Sequence, residues 1–312
     1  MDLTFGPVPS RRLGRSLGIN NIPPKICSYA CVYCQLGKTI KMQIERQEFY
    51  PSQKILRSVQ ERVAQIHSQG ETIDYLAFVP DGEPTLDIHL GRDIDSIKLL
   101  GIPVAVISNG SLIADPKVRR ELSKADWVSL KVDSITEAVW RAIDRPHGKL
   151  NLHRILDGML AFKEEFRAKL VTETMLIRGM NDSETSARET AHFLNQLKPD
   201  IAYISIPTRP PALKDVRPAD AQAVNMVYQI FAEALAQVEL LTGYEGNAFS
   251  STGDVRQDIL TITAVHPMRR DAIESILRKE SADWNTIEQL LKNGEIIQSE
   301  FEGHSFFLRS FK

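Results

Sequence analysis

All three cysteines of this 312-residue chain, Cys27, Cys31 and Cys34, fall inside the stretch 23–38. Their spacing, C-x3-C-x2-C, lets three thiolates on one short loop converge on a single inorganic centre. An odd number of cysteines so close together argues against a disulfide framework. Zinc in a closed structural site takes four protein ligands, and no histidine lies in the loop, the nearest being His67. An iron–sulfur cluster is normally ligated by four cysteines, so a loop offering three leaves one iron with an open position for a small molecule. A zinc knuckle, or three unrelated buried thiols, is the alternative reading of the loop alone.

Composition sets the frame for that loop. With 43% hydrophobic and 25% charged residues the chain can bury a large core, enough for one barrel-sized domain and a small appendage. A net charge of −2 gives no global attraction to nucleic acid or an anionic membrane. The first residues lack the charged and apolar regions of a signal peptide, and no run approaches eighteen apolar residues. The expected compartment is the cytoplasm, with no membrane partner.

In chain order, Pro7 and Pro9 argue against a helix at the start, and Arg15 to Asn20 reads as a first strand that delivers the chain to the cysteine loop. Arg11, Arg12 and Arg15 lie near that loop, either solvated and paired with carboxylates or holding anionic groups. Ser52 is expected to cap a helix whose residues Ile55, Leu56, Val59, Val63 and Ile66 recur at helical spacing. Apolar runs then alternate with helical patterns, at 75–79, 104–107, 127–132, 170–177, 202–206 and 238–241. Such alternation predicts a parallel sheet covered on its outer face, either doubly wound or a barrel.

Within that frame, C-x3-C-x-Tyr-C, with Tyr33 before the last cysteine, resembles the signature of the radical S-adenosylmethionine (SAM) superfamily. The resemblance implies an α/β fold with a partial (βα)6 barrel and its cofactors at the C-terminal ends of the strands. It implies a 4Fe-4S cluster on Cys27, Cys31 and Cys34, with S-adenosylmethionine on the unique iron. It also implies a low-potential electron donor of ferredoxin or flavodoxin type.

Polar or glycine-rich motifs should then follow each strand, and they do. Gly82-Glu83-Pro-Thr matches the family's Gly-Glu motif, whose residues meet the methionyl ammonium of SAM. Asn109, in Ser-Asn-Gly-Ser, suits a tight turn, and a similar segment lines the family's cofactor pocket. Ser129, Lys131 and Asp133 share one face by the two-residue period. By resemblance Ser129 and Lys131 contact the ribose or carboxylate of SAM, while Asp133 stands on the substrate side. Ile177, Arg178 and Gly179 are carried over as adenine-packing residues. Glu173 alternates inward as a ligand to a ribose hydroxyl or as half of an internal salt bridge. Arg209, between prolines, is placed to meet a carboxylate or phosphate, or is a charged loop tip.

A polar, small-residue stretch near Phe249 divides the chain into 1–249, the barrel, and 250–312, a unit of three helices and a hairpin around Glu302-Gly303. This is a winged-helix pattern. From Asp254 to Lys312 it holds 8 Lys or Arg against 10 Asp or Glu. Its second motif helix offers Asp283, Asn285, Glu288, Gln289 and Lys292, so duplex DNA binding is not expected.

The arrangement is similar to the subfamily related to tRNA wyosine-synthesis enzymes, but no cysteine follows Cys34 to hold a second cluster. The expected activity is reductive cleavage of SAM to a 5'-deoxyadenosyl radical that abstracts hydrogen from a substrate. That substrate is an RNA base on a surface including Arg11, Arg12, Arg119 and Arg120, a protein or peptide as in glycyl-radical activation, or a small molecule. A cluster-bearing sensor with a winged partner module is the non-enzymatic alternative.

Overall fold

A computed structural model describes residues 3–243, 246, 249 and 253–310. The expected boundary at Ser250 lies outside the described residues.

Apolar runs of four to seven residues form the central sheet. Its strands, in spatial order, are Thr4–Ser10, Gly14–Ile19, Tyr75–Phe78, Val104–Ser108, Trp127–Lys131, Lys169–Met175, Ile201–Ser205 and Val238–Leu241. The first pair is antiparallel and every later pair is parallel. Spatial order follows chain order throughout, as a helix after each strand requires when every crossover turns the same way. The sheet curls but its two end strands do not pair, so it is a partial barrel. The parallel array starts at the strand read from the sequence. Thr4–Ser10 was not expected as a strand; at the edge of a sheet its two prolines cost no ladder hydrogen bond toward solvent.

Two-residue alternation divides the strands between two cores. One set, including Leu76, Phe78, Val104, Val106, Val128, Leu130 and Leu170, packs outward against the helices. The other, including Ala77, Ala105, Trp127, Val171, Ile201 and Tyr203, fills the barrel interior. The helix Ser52–Ser68 buries Ile55, Val59, Val63 and Ile66 as its periodicity predicts. Ser52 is its first helical residue and does not cap it; Pro51 stands at the cap without a side-chain bond. Later helices do have side-chain caps, from Asp115, Asn151, Ser183 and Asp220.

The C-terminal unit holds the helices Val255–Val265, Arg270–Lys279 and Asn285–Lys292. Its three-stranded sheet places His304–Arg309 between Met268–Arg269 and Ile296–Phe301. The extra short strand between the first and second helices completes the winged-helix order. The turn uses Glu302 and Gly303, both at positive φ, as a tight hairpin demands. Asp283, Asn285, Glu288, Gln289 and Lys292 are all exposed.

The unit is fastened to the barrel's edge hairpin. Phe5 and Val8 enter the same apolar cluster as Ile259, Ile273, Met268 and Phe307. Arg62 donates to the Gly6 carbonyl at 3.0 Å and lies 3.8 Å from the buried Asp258, and Lys279 meets Glu71 at 3.0 Å. Phe5 reaches this joint because its strand partner is Gly18: a Cβ there would stand 2.0 Å from the Phe5 ring. Gly18→Ala should therefore cost about 1–3 kcal/mol of stability through overpacking, read as a lower denaturant midpoint, and Phe5→Leu in the same chain should recover part of it. Additive losses in the double variant would show that the two positions do not press on one another.

Candidate active site

Four segments hold the cysteine loop by its backbone, and a fifth holds it by side chains. Lys25 N–H donates to the Asp81 carbonyl at 2.7 Å, and Glu83 N–H to that of Ile26 at 3.2 Å. Gln43 N–H donates to the Cys27 carbonyl at 3.1 Å. Ala30 and Val32 donate to the carbonyls of Asp144 and Ile143, at the end of the helix Glu137–Asp144, at 3.0 and 2.8 Å. Leu213 N–H donates to Val32 at 3.1 Å. Ser28 Oγ lies 2.6 Å from Ser111 Oγ and accepts from Asn109 Nδ2 at 2.9 Å. The loop is thus fixed across the C-terminal ends of the parallel strands, where a barrel of this kind keeps its chemistry.

Gly82 belongs to the same clamp. A Cβ on it would lie 2.0 Å from the Ile26 carbonyl oxygen, so the glycine admits the cysteine loop itself. This gives the residue a packing role that the motif alone did not reveal.

Cys27, Cys31 and Cys34 line one cavity of about 270 Å3, together with Lys25, Tyr29, Tyr33, Gly82, Glu83, Asn109, Lys131, Glu173, Met175, Arg209 and others. Burial pushes all three thiols up. Left alone they remain protonated; a metal centre is what holds buried thiolates in such a place. Among the described residues, no three His, Cys, Asp or Glu side chains close on one point as ligands of a single ion. A multi-iron cluster presents a separate iron to each thiolate, so its ligands stand around a wall. The three thiols, with no further cysteine in the chain, fit that arrangement.

Beside them, Glu83 is buried and accepts from Thr85 N–H at 3.0 Å, Ser108 Oγ at 2.8 Å, Asn109 N–H at 2.7 Å and the Thr85 hydroxyl. It joins the Gly-Glu-Pro-Thr loop to the Ser-Asn-Gly-Ser loop. Three of those bonds end on Oε1 and one on Oε2, so Oε2 keeps capacity for a ligand cation. Asn109 Nδ2 also lies 3.5 Å from Cys27 Sγ.

Lys131 Nζ is 3.2 Å from Glu173 Oε1, and Arg12 Nη1 is 2.6 Å from Glu173 Oε2. Ser205 Oγ donates to Glu173 at 2.8 Å. Burial opposes ionisation of Glu173, but Lys131 and Arg12 outweigh it and hold the carboxyl well below its usual range. Glu173 is therefore an internal salt-bridge partner that also faces the cavity, and Arg12 takes its carboxylate. Lys25 and Asp81 form a second buried pair at 2.8 Å; burial raises Asp81 to about 6 against the lowering effect of Lys25.

Other expected residues lie elsewhere. Asp133 is buried outside the cavity wall, where it receives the Tyr33 hydroxyl and, at 2.7 Å, the Met175 N–H. It fastens the cysteine loop instead of standing on a substrate side. Ser129 shares the inward face with Lys131 but sits deeper, its Oγ buried without a hydrogen-bond partner. Ile177 packs with Val32, Tyr33 and Ile143, while Arg178 and Gly179 are exposed in the following turn. None of these three lines the cavity. Arg209 does line it, with Nη1 donating to Gln35 at 2.8 Å.

Sequence reading missed Asp144, whose Oδ1 accepts from Cys31 Sγ at 3.4 Å, and burial raises its carboxyl well above the usual range. It ends a helix and carries no motif. Lys25 stands two residues before Cys27, and Asp81 directly precedes Gly82. Val265, in the C-terminal unit, also lines the cavity, and the buried His266 beside it is pushed down by burial and by Arg209.

Glu83→Gln would set an amide donor against groups that already donate. The expected cost is about 1–3 kcal/mol in thermal unfolding of the cluster-free protein, with SAM binding to the reconstituted protein weakened about tenfold or more. Unchanged SAM affinity would confine Glu83 to joining loops.

A family model described as the Radical SAM superfamily matches residues 21–194. The chain is 44% identical to the UPF0026 protein of Methanocaldococcus jannaschii, over 100% of this chain and 97% of that one. In fold it resembles a structure of TYW1 with a lysine-pyruvate adduct bound, with a TM-score of 0.56 and 17% identity over 71% of this chain and 74% of that one. It also resembles Streptococcus suis SuiB bound to precursor peptide SuiA, with a TM-score of 0.55 and 14% identity over 75% and 53%.

Proposed function

Since the chain belongs to the radical SAM superfamily, an enzyme family using a 4Fe-4S cluster and S-adenosylmethionine, we propose that it cleaves SAM reductively to abstract hydrogen from a substrate held above the thiol cavity. When bound, the reduced cluster and SAM supply one electron and a 5'-deoxyadenosyl radical. The observation that carries this reading is the meeting of Cys27, Cys31 and Cys34 with Glu83, Lys131 and Glu173 in one cavity at the strand ends.

Each residue has a task that follows from its surroundings. The three thiols hold the cluster. Glu83 Oε2 would accept from the ligand's ammonium, and Lys131, which lines the same cavity, would donate to its carboxylate or a ribose oxygen while remaining tied to Glu173. Lys131 also lies 4.9 Å from the Tyr33 ring centre, which fixes the ammonium end of a long side chain. Met175 and Val265 line the cavity with apolar surface and keep water from a carbon radical. Gln35 and Arg209, bonded to one another, and Val265 line the same cavity and would face the substrate.

Two of the four arginines expected on an RNA-binding face are engaged within the fold. Arg12 is committed to Glu173, and Arg119 donates to the Ile113 and Ala114 carbonyls at 3.1 Å. A protein, peptide or small-molecule substrate meets no such obstacle. Among the described residues no helix is long and apolar enough to cross a membrane. Three free thiols suit a reducing cytoplasm, where we place the enzyme.

Anaerobic reconstitution followed by dithionite and SAM should yield 5'-deoxyadenosine, and Cys31→Ala should reduce the yield to background. Retained production in that variant would reject the assignment of the loop as the cluster site.

A further inference from the structure

A groove of about 840 Å3 lies on the far side of the cysteine loop, walled by Ile44, Ile88, Ser111, Lys117, Lys149 and Arg154 among others. It shares no lining residue with the thiol cavity. Two short connections bring it to the back of Cys27. Its wall residue Ser111 is hydrogen-bonded at 2.6 Å to Ser28, the neighbour of Cys27. Its wall residue Ile44 follows Gln43, whose N–H donates to the Cys27 carbonyl. Lys41–Met42 pairs in register with Ile26–Cys27, so Met42 is one strand spacing, about 4.8 Å, from Cys27.

The rim has an unusual surface. Ile44 and Ile88 line the groove, Ile88 being 43% exposed, and on the segment that leads into Ile44 stand Ile40, 73% exposed, and Met42, 37% exposed, at every second residue. In a chain of net charge −2, the groove walls carry four cations, Arg46, Lys117, Lys149 and Arg154, against Asp115 and Glu121; Glu121 is bonded to Arg46, and Lys149 lies 3.6 Å from the exposed Glu45. An apolar strip edged by cations complements a partner with an apolar tip and an acidic rim. None of the wall residues is aromatic, so there is no platform on which a nucleic-acid base would stack. The separation from Lys131 and Glu173 makes the groove unsuited to presenting a substrate to SAM.

We infer that this groove is the electron-entry surface, where a small acidic redox protein docks with the apolar edge of its cofactor toward Ser28 and Cys27. The inference rests on the proposed radical chemistry. The donor's reduced cofactor loses one electron and the oxidised cluster gains it; no bond forms or breaks. Contacts of this kind are small and transient, so a short exposed strip is sufficient.

Flavodoxin, kept reduced by NADPH and its reductase, is the probe, and the reconstituted full chain is the enzyme. Two variants test separate components: Lys149→Glu with Arg154→Glu for charge, and Met42→Glu for the apolar strip. Binding of oxidised flavodoxin is followed by calorimetric titration at two salt concentrations, and cluster reduction by stopped-flow absorbance. Both variants should weaken binding and slow flavodoxin-driven reduction about tenfold or more, and wild-type binding should weaken as salt rises. Dithionite, which needs no docking, should give 5'-deoxyadenosine yields within about twofold of wild type. Wild-type flavodoxin binding in both variants would overturn the inference, as would parallel losses with both reductants. Failure of the wild-type chain to make 5'-deoxyadenosine with dithionite would instead reject the radical reading, leaving the titration to judge the groove.

Discussion

The structure depends on keeping three half-buried thiols together at the wall of one cavity. Their surroundings push these thiols toward the protonated form, and a metal centre would stabilise the thiolates. The fold prepares for that by fixing the backbone in advance. The clamps come from the turn at Asp81, from Gly82 and Glu83, from the end of the helix Glu137–Asp144, and from Leu213. These points lie far apart in sequence and meet because parallel strands bring their C-terminal ends to one side of the sheet. Barrel and loop are therefore one device: without the strand order the clamps would have nowhere to converge.

The charges of the cavity are arranged in the same spirit. Buried ion pairs are weak evidence for stability, because desolvation consumes most of the attraction. Yet Glu173 with Lys131 and Arg12, and Asp81 with Lys25, sit in the wall where aliphatic side chains would pack at less cost. Their retention makes sense for a ligand carrying both an ammonium and a carboxylate. A pair already formed inside the wall can turn either partner toward such a ligand without first being stripped of water.

Much of this was legible in the sequence, and what was not has physical reasons. The cysteine spacing gave the loop, and the continuous apolar runs marked the parallel strands, because strands covered on both faces show no polar alternation. Periodicity also put Ser129 and Lys131 on one face, correctly, but says nothing about depth: Lys131 reaches the cavity and Ser129 stops below it. Asp133 lies past the strand end, where the two-residue period no longer applies. Asp144 was invisible because nothing local distinguishes a helix-terminal aspartate from one that tertiary packing has brought against a thiol. The edge strand Thr4–Ser10 was hidden by its prolines, which local propensity disfavours and an edge position tolerates.

The C-terminal unit is joined to these events more closely than its position in the chain implies. Its apolar core takes Phe5 and Val8 from the hairpin that opens the sheet, and its Val265 lies in the cavity wall. Phe249, just before the undescribed stretch, packs edge-on against His266 at 5.2 Å between ring centres. His266 in turn feels the Arg209 guanidinium, which pushes its ring further toward the neutral form that burial already favours. A neutral imidazole beside Arg209 adds no second positive charge at the place where substrate would arrive. The exposed face of Asn285–Lys292, where Glu288 is balanced by Lys292 and no aromatic residue stands, points to solvent on the same unit. A module built this way serves the barrel as a wall, and that helix presents no cluster of cations to a phosphate backbone.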